Sequence, residues 1–399
     1  MGASDTLAWA IKHYRPKRSV DEESARQVID ALFISHFHGD HINGLSQLTV
    51  SKDIRRLYVP YYTPQQVLAL LGTCSEWMLS ATAEDIEKFL FELYNLANGR
   101  DLFGKRTVYV LGPDNDFAPA PSNLPDDDSL VAPAPDFVTM PLSISQHGIW
   151  RDTESITINA RMNVPVWEIR SWCYSESFGL AAALATALLK IPGWPKGLLS
   201  KKPSARAIRW IINHRREIHD EYLAVIKSLS TNSGIPLQNP NLISMAIYSG
   251  PAQPSTFTKS VCRTNYGKRP AINLKALKID RYQSLFLVGD ADEVLGWIGT
   301  GDAPLGNSTV WADFSMHYGW RLGELGTILM PHHGSGSGYY NAKLLGDHGP
   351  VCVFSAAALS KHHHPSQHII ADVLRANADY IVVNENTRPS FDEHFSINV

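Results

Sequence analysis

Short runs of apolar and β-branched residues recur along the chain beside glycine and proline. They fall at 31–35, 56–60, 107–112, 243–248, 285–290, 327–331, 351–357 and 380–384. Runs of this length, bounded by turn formers, predict largely buried strands. Between several of them lie apolar positions at helical spacing, over 64–72, 82–98 and 366–377. Such alternation predicts a layered α/β architecture with functional residues at strand ends.

Two segments interrupt that rhythm. Residues 112–136 are rich in proline and aspartate and poor in large apolar groups, which predicts an extended loop. Residues 174–234 read as helices, an Ala/Leu run followed by a longer charged pattern with Pro203 near a first turn. We read them as a helical insertion within a single domain spanning 1–399, with no internal repeat.

Composition narrows the partners. The chain has 399 residues, 44% hydrophobic and 19% charged, with a formal net charge of −3, so nucleic acid or membrane must be sought in local patches. Cys74, Cys173, Cys262 and Cys352 are far apart and lack C-x-x-C spacing, as expected of reduced thiols. The longest apolar run, 178–190, is shorter than the roughly 20 residues that cross a bilayer. The N-terminus lacks the apolar core of a signal peptide. A cytoplasmic protein without a membrane partner is expected.

The candidate chemistry sits behind the first strand. In "ALFISHFHGDHINGL", His36, His38, Asp40 and His41 fall within six positions. Imidazole and carboxylate are standard ligands of divalent zinc. In an extended H-x-H the two side chains point the same way, so His36 and His38 could grip one metal. Asp40 and His41, past a turn, could face a second. A histidine-rich surface loop is the plainer alternative.

At these residues the chain resembles the metallo-β-lactamase fold superfamily and its H-x-H-x-D-H signature. "LFLVGDAD" is similar to the stretch carrying that fold's metal-bridging aspartate, here Asp290. "TILMPHHGSGSG" resembles the P-H-H-G-S element of the branch that includes the hydrolase domain of competence DNA-uptake channels and choline-phosphate esterases. "KHHHPSQHIIADVL" is similar to the His-Pro element of that branch and puts His364 near the site. The resemblance covers about 31–70 and 238–384.

The resemblance implies an αββα sandwich and two divalent metal ions, zinc or manganese. Asp40, His41, Asp290 and His333 would hold one ion, and His36, His38 and Asp290 the other. Asp40, His332 and His364 would be the catalytic groups, with His332 stabilising developing negative charge. Alternatives stay open: Asp290 could cap a turn, and which of His332 and His333 ligates rests on the likeness. His362 and His363 could be exposed neighbours. The superfamily's remaining histidine has no clear match; His147 is a candidate, and Asn241 in "NPNLISMAIY" could take its place. Where the fold begins with strands, residues 1–30 read as charged helix and loop.

A metal pair around an activated water implies hydrolysis. The expected function is a dinuclear metal-dependent phosphodiesterase or nuclease, acting on a phosphodiester substrate such as nucleic acid. Hydrolysis of a small ester, lactone or thioester is one alternative, and a non-catalytic binding protein on a degraded hydrolase fold is another. In the helical insertion, Lys196, Lys201, Lys202, Arg206, Arg209, Arg215 and Arg216 occur with no acid until Glu217. Such a run could line a polyanion groove or form an ordinary solvated face. Trp194 and Trp210 could stack bases or sit in the core.

Overall fold

The structure, a computed structural model, describes residues 28–42, 44–112, 149–151, 154–159, 165–175, 179–233, 243–254, 259–265, 287–288, 294–336, 338–356, 364–384 and 391–397. The Pro/Asp-rich stretch from 113 onward, His147 and Asn241 lie outside them, as do Asp290, His362 and His363.

The described residues begin with strands β1 (Val28–Ile29) and β2 (Leu32–Phe33), helices α1 (Gly39–Ile42) and α2 (Leu45–Ser51), then β3 (Asp53–Ile54) and β4 (Leu57–Pro60). Helices α3 (Pro64–Thr73), α4 (Ser75–Ser80) and α5 (Ala83–Ala97) lead to β5 (Thr107–Leu111). Then come β6 (Ile149–Arg151), β7 (Ser155–Asn159), β8 (Pro165–Ser175) and helices α6 (Leu180–Leu189) and α7 (Ala205–Ser233). Strands β9 (Ile243–Pro251), β10 (Lys259–Asn265), β11 (Leu287–Val288) and β12 (Gly296–Gly299) precede helix α8 (Ser308–Tyr318). The chain closes with β13 (Leu325–Leu329), β14 (Val351–Ser355), α9 (Gln367–Arg375), β15 (Asp379–Val383) and β16 (Phe391–Ile397).

This is a mixed α/β fold built around a large mixed sheet. Its seven strands run in the order β15-β14-β13-β12-β9-β8-β7. The β12 to β15 side pairs in parallel, while β9, β8 and β7 pair antiparallel. A second sheet, β2-β4-β5-β6, is parallel throughout. β1 pairs with β3, and β10 lies between β11 and β16.

Alternate residues of the strands face different cores, the period-2 rule of extended chain. Leu57 and Val59 of β4 join a core with α3, α5, α6 and α7, whereas Tyr58 faces Val108, Cys173, Met245 and Ile247 between the two sheets. Across the larger sheet, Trp172, Ala246, Tyr248 and Ile298 face α8 and α9 through Phe314, Tyr318, Ile369 and Val373. Both sheets therefore bury both faces, which explains why their strands read as near-continuous apolar runs.

Local signals set the helices. Thr63 and Gln66 form a reciprocal capping box at the start of α3, with Pro64 in its first turn. Thr82 caps α5, which buries Ile86, Phe89, Leu90 and Leu93 at helical spacing.

The helical stretch expected at 174–234 begins later, because β8 continues to Ser175. Its helices are not an appendage: Leu180, Leu184, Leu188, Ile208, Ile211 and Ile218 complete the same core as α3 and α5. β8 escaped the apolar pattern because Glu168 is buried in it, bonded to Arg321. Cys74, Cys173 and Cys352 are buried and outside any disulfide. Among the described residues no helix is long and apolar enough to cross a membrane.

Candidate metal centre

The histidine-rich turn leaves the carboxyl end of β2. Residues 34–38 remain non-helical, and Phe37 is fully buried in the helical core. Its two neighbours are then free to face the other way, which is the physical content of H-x-H. The Phe37 amide donates to the Tyr62 hydroxyl at 3.1 Å, and Cys74 Sγ donates to the Phe37 carbonyl at 3.1 Å. Both polar groups of the buried peptide are thus satisfied, and the turn is held from behind. α1 follows, with the amides of His41 and Ile42 donating to the His38 carbonyl. Asp40 lies on α1, and its side chain is outside the described residues.

The carboxylate that meets these histidines is Asp302, which the sequence reading did not single out. Asp302 is 3% exposed and His36 1% exposed, so both are withdrawn from bulk water. Asp302 Oδ2 lies 3.4 Å from His36 Nε2 and 3.8 Å from His332 Nε2, while Oδ1 lies 3.8 Å from His41 Nε2. One carboxylate therefore has an oxygen toward each of two histidine groups. Ligand atoms of His36, His38 and Asp302 all lie within 4.8 Å of one another.

Those separations suit a shared cation. Ligands about 2.0–2.2 Å from a tetrahedral metal stand roughly 3.4 Å apart, beyond the usual hydrogen-bond distance. The rings are also oriented for it. Ser35 Oγ lies 3.1 Å from His36 Nδ1 and 3.2 Å from His41 Nδ1. A hydroxyl has two lone pairs, so both Nδ1–H groups can donate to it, leaving both Nε2 lone pairs facing Asp302.

Asp302 is placed by backbone geometry. It follows β12 in the turn Thr300-Gly301-Asp302, and its amide donates to the buried Ser244 Oγ at 2.8 Å. Gly301 has φ +55°, and a Cβ there would lie 2.5 Å from Ser244 Oγ. Only glycine lets the turn pass so close to β9. Thr300 Oγ1 donates to the Leu329 carbonyl at 3.0 Å, tying the end of β12 to the end of β13.

The third contribution comes from the turn after β13, Pro331–Gly334. His332 (φ 44°, ψ 54°) and His333 (φ 58°, ψ 16°) are both left-handed, followed by Gly334 at φ +80°. Consecutive left-handed non-glycine residues store strain of order 1–3 kcal/mol each. The turn holds them through the His332 amide donating to the Gly301 carbonyl and the Ser335 amide to the His332 carbonyl. A Cβ on Gly334 would lie 2.5 Å from the Phe354 ring. His333 Nδ1 donates to the Ser355 carbonyl at 2.5 Å, which turns Nε2 away from the strand.

The remaining rings surround this core. His333 lies 5.9 Å from His41 between ring centroids, His364 5.9 Å from His332, and Tyr339 4.1 Å from His332. Burial pushes the Tyr339 phenol up, with the Asp302 charge adding to the shift, so it stays a protonated hydrogen-bond donor.

Of the residues expected at the site, His36, His38, His41, His332, His333 and His364 converge, all at carboxyl ends of parallel strands. Asp290 and His147 lie outside the described residues. Asp302 carried a signal of its own. In the sequence "GWIGTGD" places Gly-Asp behind an apolar run as "LFLVGD" does, but the run is shorter and broken by glycine. A comparison with family models, curated proteins and solved structures returns no match.

Proposed function

We propose that the chain is a divalent-metal-dependent hydrolase of phosphodiesters, built as an αββα sandwich of the metallo-β-lactamase type. The layering supports the fold reading: helices, the four-stranded sheet, the seven-stranded sheet and helices again share three cores. The observation that carries the function is the Asp302 carboxylate, buried with one oxygen toward His36 and the other toward His41 at separations suited to shared cations.

In this reading His36, His38 and Asp302 would hold one zinc or manganese ion, and His41, His333 and Asp302 would hold a second. Asp302 takes the part that the resemblance gave to Asp290. When bound, such cations make water nucleophilic near neutral pH and offset charge on the oxygens of the scissile group.

The protein's own groups do the rest. Ser35 Oγ lies within hydrogen-bond reach of both Nδ1 atoms and can orient His36 and His41 with Nε2 toward Asp302. His332 presents Nε2 to Asp302, and His364, its ring 5.9 Å from that of His332, is placed to offer a ring N–H to phosphoryl oxygens that gain charge in the transition state. The buried Tyr339 packs on His332 and keeps its ring in place.

The test is metal content and turnover together. Protein loaded with zinc or manganese is expected to hydrolyse bis(p-nitrophenyl) phosphate in preference to p-nitrophenyl acetate. Asp302→Ala should lose both bound metal and turnover, while Asp290→Ala keeps them. Undiminished turnover in Asp302→Ala would remove the proposal, and preference for the acetate would replace it with an esterase.

A further inference from the structure

The helical segment carries a charge pattern that the metal centre does not use. From Lys190 to Arg216 there are eight lysines and arginines and no aspartate or glutamate, in a chain whose net charge is −3. All but Arg215 are exposed. Arg215 is half-buried, with Nη1 donating to the Ala81 carbonyl. On α7, Arg206, Arg209 and Arg216 share one face, opposite the buried Ile208, Ile211 and Ile218.

Folding does not account for this strip. Among the described residues no carboxylate pairs with its exposed cations. Arg206 stands in the first turn of α7, which holds no acidic residue, where the helix dipole makes positive charge unfavourable. Seven exposed cations kept together without counter-charge cost stability through mutual repulsion.

We propose that this face is a docking surface for the phosphate backbone of a nucleic-acid strand, and that it presents the polymer to the centre at Asp302. The docking half stands on the charge pattern alone; the presenting half rests on the hydrolase reading. Exposed cations without a carboxylate partner, three of them on one face of α7 and Lys202 held over the Phe91 ring, match a polymer with one charge per nucleotide. The indoles of Trp194 and Trp210 pack against the helical core, Trp210 stacked on His214, so the strip offers charge rather than a base-stacking platform. Between Lys190 and Arg216 no exposed residue is a large apolar side chain that could insert into a bilayer, so an anionic membrane would be held by charge alone and serves as the competing polyanion in the test.

α7 also connects to the metal centre. His219 Nδ1 lies 3.0 Å from Ser75 Oγ, and the adjacent Cys74 donates to the carbonyl of Phe37, between His36 and His38.

The experiment measures fluorescence anisotropy of a labelled 20-nucleotide oligo-dT with the full chain in EDTA, so that no cation occupies the centre. Five neutralised phosphates give a slope of about −3.5 in log affinity against log salt, a loss on the order of 100-fold from 50 to 200 mM. The triple variant Arg206→Glu, Arg209→Glu, Arg216→Glu is expected to flatten that slope by about 2 and weaken binding by roughly tenfold or more. Arg55→Glu, Lys343→Glu, Arg375→Glu changes net charge equally at exposed sites elsewhere and is expected to bind like the parent.

Should the first triple fail to fold by circular dichroism, Lys201→Gln, Lys202→Gln in the preceding loop is expected to flatten the slope by about 1.4. Equal weakening by both triples, absence of salt-dependent binding, or strip-dependent binding to phosphatidylserine vesicles without oligo-dT binding would each overturn the proposal. Lost binding with intact hydrolysis of bis(p-nitrophenyl) phosphate removes the docking face alone. Intact binding with no hydrolysis removes the hydrolase reading alone.

Discussion

Two histidine environments in this molecule have opposite electrostatics. His36, His41 and His332 present Nε2 to the carboxylate of Asp302. His317, at the end of α8 on the far side of the seven-stranded sheet, receives a hydrogen bond on Nε2 from the Arg170 guanidinium at 3.2 Å. Burial, reinforced by Arg170, lowers the His317 pKa to about 4, so it is neutral near pH 7. An imidazole whose lone pair already takes an arginine proton has nothing to offer a cation. Residue type alone therefore does not identify a ligand; the charge facing the ring does.

Removing the carboxylate should break the contrast most severely. Asp302→Ala is expected to lower zinc affinity by at least about 100-fold and to abolish hydrolysis, whereas His317→Gln leaves both unchanged. Metal content after dialysis and turnover of an aryl phosphodiester check this, and equal losses in the two variants would erase the distinction.

Backbone support comes next. Gly334→Ala places a Cβ 2.5 Å from Phe354 at φ +80°, and should cost about 2–4 kcal/mol in urea unfolding while displacing His332 and His333. Tyr62→Phe deprives the buried Phe37 amide of its acceptor. A loss of about 1–3 kcal/mol is expected, with weaker zinc binding because His36 and His38 flank that peptide.

The smallest effect belongs to His317. Its folded pKa of about 4 lies below the ordinary 6.5, so the unfolded chain binds more protons between those values. Stability then falls as pH drops from 6.5 toward 4, by on the order of 1–2 kcal/mol after solvent screening at this partly exposed ring. Urea midpoints across that range should lose part of this slope in His317→Gln.

Much of the framework was legible in the sequence because its signals are local. The capping box of α3, the amphipathic spacing of α5 and the runs that became β4, β5, β13, β14 and β15 each act over a few residues. The H-x-H turn was legible for the same reason, since alternation around a buried Phe37 is enough to pair its histidines. Asp302 was not, because its role depends on tertiary approach. Gly301 passes β9 and Ser244 takes the Asp302 amide, contacts 58 residues apart that no spacing encodes. β8 was missed because Glu168 and Arg170 break its apolar pattern, and the partners that justify them, Arg321 and His317, come from distant segments.

The hydroxyl of Ser244 turns the centre into a gauge of strand alignment. In β9, Ser244 stands opposite Tyr174 of β8, and its neighbours Met245 and Ile243 face other layers. A slip of one residue would swing that hydroxyl to the wrong side and leave the Asp302 amide without it. Zinc uptake by refolded protein should therefore separate correctly aligned molecules from compact but misaligned ones that have the same helix content.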